Sequence, residues 1–288
     1  MNIKSKKSIS IVCLIGFLFS MKSIAAEPVA IVTDLQGTAT IELAGDSNQI
    51  NILDNFEADS TVVVAEGNAL TVVYYESGVE YAYTGPVSFV VGVAQPQMLA
   101  GDAGQSTGLK LLESTGLKPA ERNLNQAATV FRAMGGSGSK IELLNPVNTK
   151  IMETSPVFNW LSLSEETSYN FVLKSSRGQT VFQNSVTQNE VQLPKGIELR
   201  YGRKYNWEVT ARVKDESYRA TASFQMGSES NINNLSQHHP DTGSSFSEKM
   251  VYALLLKQNG FEHAAQQAWK ALKQERPNYS KESNLFEQ

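Results

Sequence analysis

From Ala30 to about Val93, apolar and polar positions alternate with period two, and turn residues interrupt the alternation roughly every eight to twelve positions. Ala39, Ile41 and Leu43 alternate with Thr38, Thr40 and Glu42, while Leu70, Val72 and Tyr74 alternate with Thr71, Val73 and Tyr75. Thr61 to Ala65 and Val87 to Val91 are continuous β-branched or apolar runs, the pattern expected of strands buried on both faces. Gly37, Gly45-Asp46, Glu66-Gly67-Asn68, Ser77-Gly78 and Gly85-Pro86 punctuate these strands. The segment 27–95 is therefore expected to be a small all-β module.

The pattern changes at residue 96. Gly101, Gly104, Gly108 and Gly116 break the alternation, so 96–140 is expected to be a linker. Within it, Pro119 suits a first helical turn, and Leu124, Ala127, Ala128 and Phe131 share one helical face. A helix over 119–134 follows, stopped at Gly135-Gly136. Period two returns over 141–227: Tyr169, Phe171 and Leu173, then Tyr205, Trp207 and Val209, then Ala222, Phe224 and Met226 each take alternate positions. Residues 228–245 are polar and read as a second linker. Ser247 to Gln258 and Phe261 to Gln274 read as two helices joined at Asn259-Gly260, giving a helical hairpin over 246–279 with Pro277 as its stop. The expected fold class is mainly β with α: a small β module, a β-sandwich, a linker helix and a C-terminal helical hairpin.

Three resemblances attach to these segments. A strand ending in Gly37, then Ala39-Thr40-Ile41, Ile52-Leu53, the acidic Asn55-Phe56-Glu57-Ala58-Asp59, Val62-Val63-Val64 and Gly67-Asn68-Ala69-Leu70 resembles the FecR-type domain over about 65 residues. That resemblance implies a β fold and an envelope location and carries over no site residue. The regulators for which the domain is named place a cytoplasmic segment and a membrane span before it. Here the segment before Ala30 reads as a short signal, so the module is expected to carry over without the contact with a cytoplasmic sigma factor. The run Pro156-x-Phe158-x-Trp160, Tyr169-x-Phe171, Leu193-Pro194 and Tyr205-x-Trp207-x-Val209 resembles a fibronectin type III or Ig-like sandwich. Ala253, Leu256, Gly260, Ala265, Trp269 and Pro277 are spaced like one tetratricopeptide unit, although at least three are usually needed for a continuous core. Such a hairpin either packs on the sandwich or docks onto a partner.

Composition sets the compartment. Asn2 to Lys7 is positively charged, Ile9 to Phe19 is apolar, and Ser23-Ile24-Ala25 places small residues at a cleavage site, so 1–26 reads as a secretory signal peptide. A membrane span needs about 20 apolar residues, and Ser20, Lys22 and Ser23 end this stretch early. Cys13 is the only cysteine, and Val12 before it does not suit lipidation. Cleavage is expected to leave a mature chain without thiol or disulfide. The whole chain carries a formal charge of -4; losing Lys4, Lys6, Lys7 and Lys22 leaves 21 cationic against 29 acidic side chains, or -8. So acidic a chain repels phosphate, and nucleic acid is not an expected partner. The 41% hydrophobic content excludes disorder and the mean hydropathy of -0.26 excludes a multi-span membrane protein.

Candidate chemistry is sparse. His238-His239-Pro240-Asp241 offers two nitrogens and a carboxylate, but in a polar linker, where adjacent side chains diverge. His263 has no metal-binding neighbour one helical turn away. Gly135 to Ser139 lacks the final glycine of a nucleophile elbow, and Gly101 to Lys110 lacks the ending of a phosphate loop. Glu76 and Glu80, or Asp54, Glu57 and Asp59, are carboxylates that a glycosidase would need, but at strand edges and turns they are expected to face water. The remaining candidates are aromatic. Tyr81 and Tyr83 share one face of a predicted hairpin, where they are expected either to form a binding surface for glycan or protein or to pack across strands, whereas Tyr74 and Tyr75 are split between faces. The expectation is an exported, non-enzymatic binding or scaffold protein of the bacterial envelope, periplasmic, with a protein or glycan partner, no cofactor, no metal and no catalytic residue. The alternatives are a periplasmic regulator related to FecR-type sensors and an envelope polysaccharide hydrolase.

Overall fold

The computed structural model describes residues 27–109, 117–119, 141–163 and 167–276. The expected signal peptide and linker helix lie outside these residues. Ten strands form the first module: β1 (Pro28–Gln36), β2 (Ala39–Leu43), β3 (Asp46–Gln49), β4 (Asn55–Glu57), β5 (Thr61–Val64), β6 (Ala69–Tyr74), β7 (Val79–Thr84), β8 (Val87–Val91), β9 (Pro96–Ala100) and β10 (Gln105–Gly108). They pair into two five-stranded sheets, ordered β10-β7-β6-β1-β4 and β3-β2-β5-β8-β9. Alternate residues of both sheets, among them Val32, Phe56, Leu70 and Val72 from the first and Val62, Val64 and Phe89 from the second, meet in one hydrophobic core.

Two sequence expectations change here. The first module continues past 95, because β9 pairs with β8 and β10 pairs with β7. Of the glycines that interrupt the pattern, Gly101 and Gly104 turn the chain between β9 and β10 at positive φ and Gly108 ends β10; a Cβ on Gly104 would meet the Tyr83 ring at 2.8 Å. The runs Thr61 to Ala65 and Val87 to Val91 are also buried on one face only, with Val63 46% exposed. The strands buried on both faces are β1, where Ala30, Ile31, Val32 and Thr33 are consecutive buried residues, and the end of β6, where Val72, Val73 and Tyr74 are.

The second module comprises β11 (Leu143–Asn145), β12 (Lys150–Ile151), β13 (Val157–Trp160), β14 (Tyr169–Ser175), β15 (Thr180–Val186), β16 (Glu190–Gln192), β17 (Lys204–Val213) and β18 (Glu216–Met226). A three-stranded sheet, β11-β13-β16, faces a five-stranded one, β12-β18-β17-β14-β15, as a β-sandwich. Its centre is aromatic: Phe158 lies 4.9 Å from Phe171 and 5.3 Å from Trp207, centroid to centroid. Both tryptophans of the sandwich, Trp160 and Trp207, point inward.

Three helices follow: α1 (Glu229–Gln237), α2 (Phe246–Gln258) and α3 (Glu262–Glu275). Helix α1 occupies the expected linker 228–245. Ser228 caps it by accepting from the Asn231 N–H, and Ile232 and Leu235 are spaced to bury one narrow face. At α2, Ser245 and Glu248 form a reciprocal capping box. The α2–α3 turn places Gly260 at φ +81°, a conformation that glycine takes without steric cost. No described helix is long and apolar enough to cross a membrane.

The α2–α3 hairpin joins the two modules. The outer face of the β1–β6 pair presents Ile31 and Val73, which belong to the same hydrophobic cluster as Trp207, Leu255 and Trp269. The Ser247 hydroxyl donates to Thr33 Oγ1 at 2.7 Å in a buried contact, and the Arg276 guanidinium pairs with Asp34 while lying 4.2 Å over the Phe246 ring. On the opposite side, Lys150 N–H donates to the Gly260 carbonyl at 2.8 Å and its ammonium to the Asn259 carbonyl at 2.7 Å. That places a cation at the negative end of α2.

Glu80 sits at the first of these junctions, with Oε2 buried and unpartnered. Burial pushes its carboxyl pKa up from the ordinary 4.5, the Glu248 and Asp34 charges push the same way, and the Ser247 hydroxyl opposes them. A raised folded-state pKa contributes stability below about pH 4.5 that is lost as pH rises through the folded value. Glu80→Gln is therefore expected to raise the urea midpoint at pH 7, the gain vanishing below pH 4.5. An unchanged or lower midpoint at pH 7 would show that the carboxylate is solvated.

Candidate functional site

Where the hairpin meets the sandwich, a cleft of about 630 Å³ opens between the β12–β13 segment, the end of β16 and the facing sides of α2 and α3. That volume falls in the ~300–1,000 Å³ range of small-ligand sites. Met152, Val157, Leu256 and Ala268 supply apolar walls, and Glu153, His239, Tyr252 and His263 supply polar groups. Glu153 follows β12, Tyr252 lies in mid α2, His263 opens α3 and His239 follows α1, so four segments converge.

Tyr252 is 4% exposed, and its hydroxyl has no hydrogen-bond partner among the described residues. Burial pushes its phenol pKa up and the Glu153 charge adds to this, so the group is a neutral donor and acceptor. Asn145 Oδ1, on the same lining, is also buried and unpartnered. Burial lowers the His263 pKa from 6.5, opposed by Glu153, which favours the neutral imidazole. The His239 ring meets Tyr252 edge-on at 5.2 Å. Its Nδ1 lies 2.8 Å from the Pro240 carbonyl; a carbonyl only accepts, so Nδ1 carries a proton.

Residues singled out from the sequence fall elsewhere. Tyr83 is 2% exposed and stacks across the first module onto Phe89 at 4.4 Å, while the half-buried Tyr81 stacks on Tyr83 at 6.4 Å and meets Tyr74 edge-on at 5.5 Å. Of the two expectations for the pair, the packing across strands describes Tyr83: the shared face of β7 turns toward the facing sheet, with Tyr83 in the core and Tyr81 partly buried against it. Tyr74 and Tyr75 are split as expected, Tyr74 into the module core and Tyr75 toward the hairpin side, where its hydroxyl bonds Asn55 Oδ1 at 2.5 Å. His238 and His239 diverge, each bonding a backbone carbonyl of its own segment. Among the described residues no three His, Cys, Asp or Glu side chains form a metal-binding group. Asp54 closes a local turn by accepting from the Asn51 N–H at 2.7 Å. Glu80 departs from its expected place in water, because the hairpin covers it.

The grouping of Glu153, Tyr252 and His263 carries no sequence signal. Glu153 and His263 are far apart in the chain and meet where Lys150 bonds the α2–α3 turn and Thr149 Oγ1 accepts from the His263 N–H.

No family model matches the chain, and no curated protein matches it. Solved structures do match at a distance. One is a β-D-glucuronidase from Dictyoglomus thermophilum, 11% identical over 69% of this chain and 44% of that one, with a TM-score of 0.23. Another is a β-1,2-glucanase from Parabacteroides distasonis, 12% identical over 86% of this chain and 48% of that one, also with a TM-score of 0.23. The chain spans less than half the length of each of these two enzymes.

Proposed function

We propose that this chain is an exported, non-enzymatic binding or scaffold protein of the bacterial envelope, acting in the periplasm through contact with a glycan or a protein. The observation that carries this reading is the cleft between hairpin and sandwich, lined by Tyr252 and Asn145, whose Oη and Oδ1 are buried behind it without partners. An unsatisfied buried polar group costs about 1–3 kcal/mol. A ligand that draws either side chain toward the cleft and supplies a hydroxyl or amide recovers that cost on binding, and sugars and peptides both carry such groups. Tyr74 and Tyr83 also hold unpartnered hydroxyls, but these lie in the core of the first module, away from the hairpin cleft. The apolar walls beside polar groups suit recognition of a mixed surface. Export rests on the N-terminal charge and hydropathy pattern and is tested separately by cell fractionation.

Tyr252→Phe is the direct test. Removing the hydroxyl is expected to leave the free protein as stable as the wild type or up to about 1 kcal/mol more stable, since no intramolecular bond is lost. Retention on arrays of envelope glycans and peptides is expected to fall at least tenfold. Equal retention by the variant, or no retention of any array member by the wild type, removes the cleft as the binding site.

A further inference from the structure

A second concavity lies on the sandwich, formed by the β14–β15 turn and the connection from β16 to β17. It encloses about 470 Å³ and is lined by Arg177, Arg200, Arg203 and Lys204, with Glu198 as its one acidic side chain. This is the opposite sign to the chain as a whole, which carries -4, or -8 without its first 26 residues. Ion pairs elsewhere satisfy Arg219, Lys249 and Arg276. None of the four cleft cations takes part in an ion pair among the described residues, and Glu198 offsets at most one of the four charges.

The backbone beneath these side chains is bonded on several sides. Arg200 N–H donates to Tyr205 Oη at 2.9 Å, Gly202 N–H to the Gly227 carbonyl at 2.9 Å, and Ser176 N–H to the Lys204 carbonyl at 3.1 Å. Met226 N–H donates to the Arg203 carbonyl at 2.8 Å. The backbone that carries Arg200 and Arg203 is therefore already held and need not be ordered on binding. Guanidinium forks match carboxylate and sulfate oxygens in pairs, and Val181, Ile197 and the Tyr205 ring supply apolar surface beside them.

We propose that this cleft binds the anionic groups of an acidic oligosaccharide. Its concavity does not fit the plane of a membrane. A long nucleic acid would extend beyond the cleft over the acidic remainder of the surface and be repelled. A short uronate or sulfated sugar segment places its charges within the cleft and its rings on the apolar floor. The proposal goes beyond the hairpin cleft and uses none of its residues, so either site can fail alone.

The test is calorimetric titration of the purified chain with tri-galacturonate at low salt. Its controls are the fully methyl-esterified trisaccharide, a single-stranded oligonucleotide and anionic phospholipid vesicles. Binding of tri-galacturonate that weakens with added salt and falls at least tenfold in Arg200→Gln/Arg203→Gln is expected. Arg219→Gln changes one charge away from the cleft and Tyr252→Phe alters the other cleft; both are expected to bind as the wild type. The proposal is overturned if tri-galacturonate does not bind, if the neutral ester binds equally, if the double variant keeps its affinity while remaining folded, or if oligonucleotide or vesicles bind more tightly.

Discussion

Trp207→Ala is expected to cost about 3–5 kcal/mol of stability, the range for truncating a large buried aromatic. Trp207 is 1% exposed at the centre of the sandwich, with ring centroids 5.3 Å from Phe158, 6.0 Å from Phe171 and 6.4 Å from Trp160. Its Nε1–H donates at 2.7 Å to the Pro146 carbonyl, a buried bond spanning 61 positions. Truncation opens a cavity among aromatic rings and leaves that carbonyl without its donor, two separate penalties. Against a typical total of about 5–15 kcal/mol, this leaves the second module marginal. Trp207→Phe keeps most of the packing and loses only the bond, so it is expected to fall between wild type and alanine. Urea unfolding followed by far-UV circular dichroism checks both. A loss under about 1 kcal/mol for the alanine variant would show that the cluster repacks around the gap.

Val251→Asp is expected to detach the hairpin and uncouple the two modules. Val251 is 0% exposed in α2, one turn beyond Ser247, whose hydroxyl bonds Thr33 of the first module. A carboxylate there is buried without a cation, a cost of several kcal/mol that the chain avoids by releasing the helix. Each sandwich has its own facing sheets, so separation is expected to precede global unfolding. Limited proteolysis is expected to cut between 238 and 245 in the variant, and urea unfolding to divide into two transitions. Val251→Thr, similar in shape and uncharged, is expected to keep a single transition. One cooperative transition and wild-type protease resistance in Val251→Asp would remove the hairpin's role as the element joining the modules.

These two sites differ in how far they were legible. Trp207 is marked in the sequence by its alternation with Tyr205 and Val209, and the structure buries all three. The hairpin was legible as two helices with a turn at Asn259-Gly260. Its position was not, because the choice between packing on this chain and docking on a partner depends on which surface is offered to it. The α1 helix was missed because two apolar residues, Ile232 and Leu235, are a weak signal in a polar stretch, and a nine-residue helix is stabilised by the surface it packs on. Alternation puts Tyr81 and Tyr83 on one face of β7, but what that face meets depends on the opposite sheet, where β8 pairs with β5 and brings Phe89 against Tyr83.

What the sequence by itself determined is local: the mainly β class, the alternation that sets inward and outward positions along each strand, the helical hairpin and its turn. Alternation reports a side chain's place on its own strand, and it says nothing of what lies over the other face. Val63 and Val73 occupy similar β-branched runs, yet Val63 stands in water and Val73 is fully buried. Only the tertiary structure decided this, because the cluster that covers Val73 is built from helices more than 150 positions further along the chain, whose apolar faces remove water from the outer side of β1 and β6. The same long-range packing brought Glu153, Tyr252 and His263 to one cleft and gathered Arg177, Arg200 and Arg203 around another.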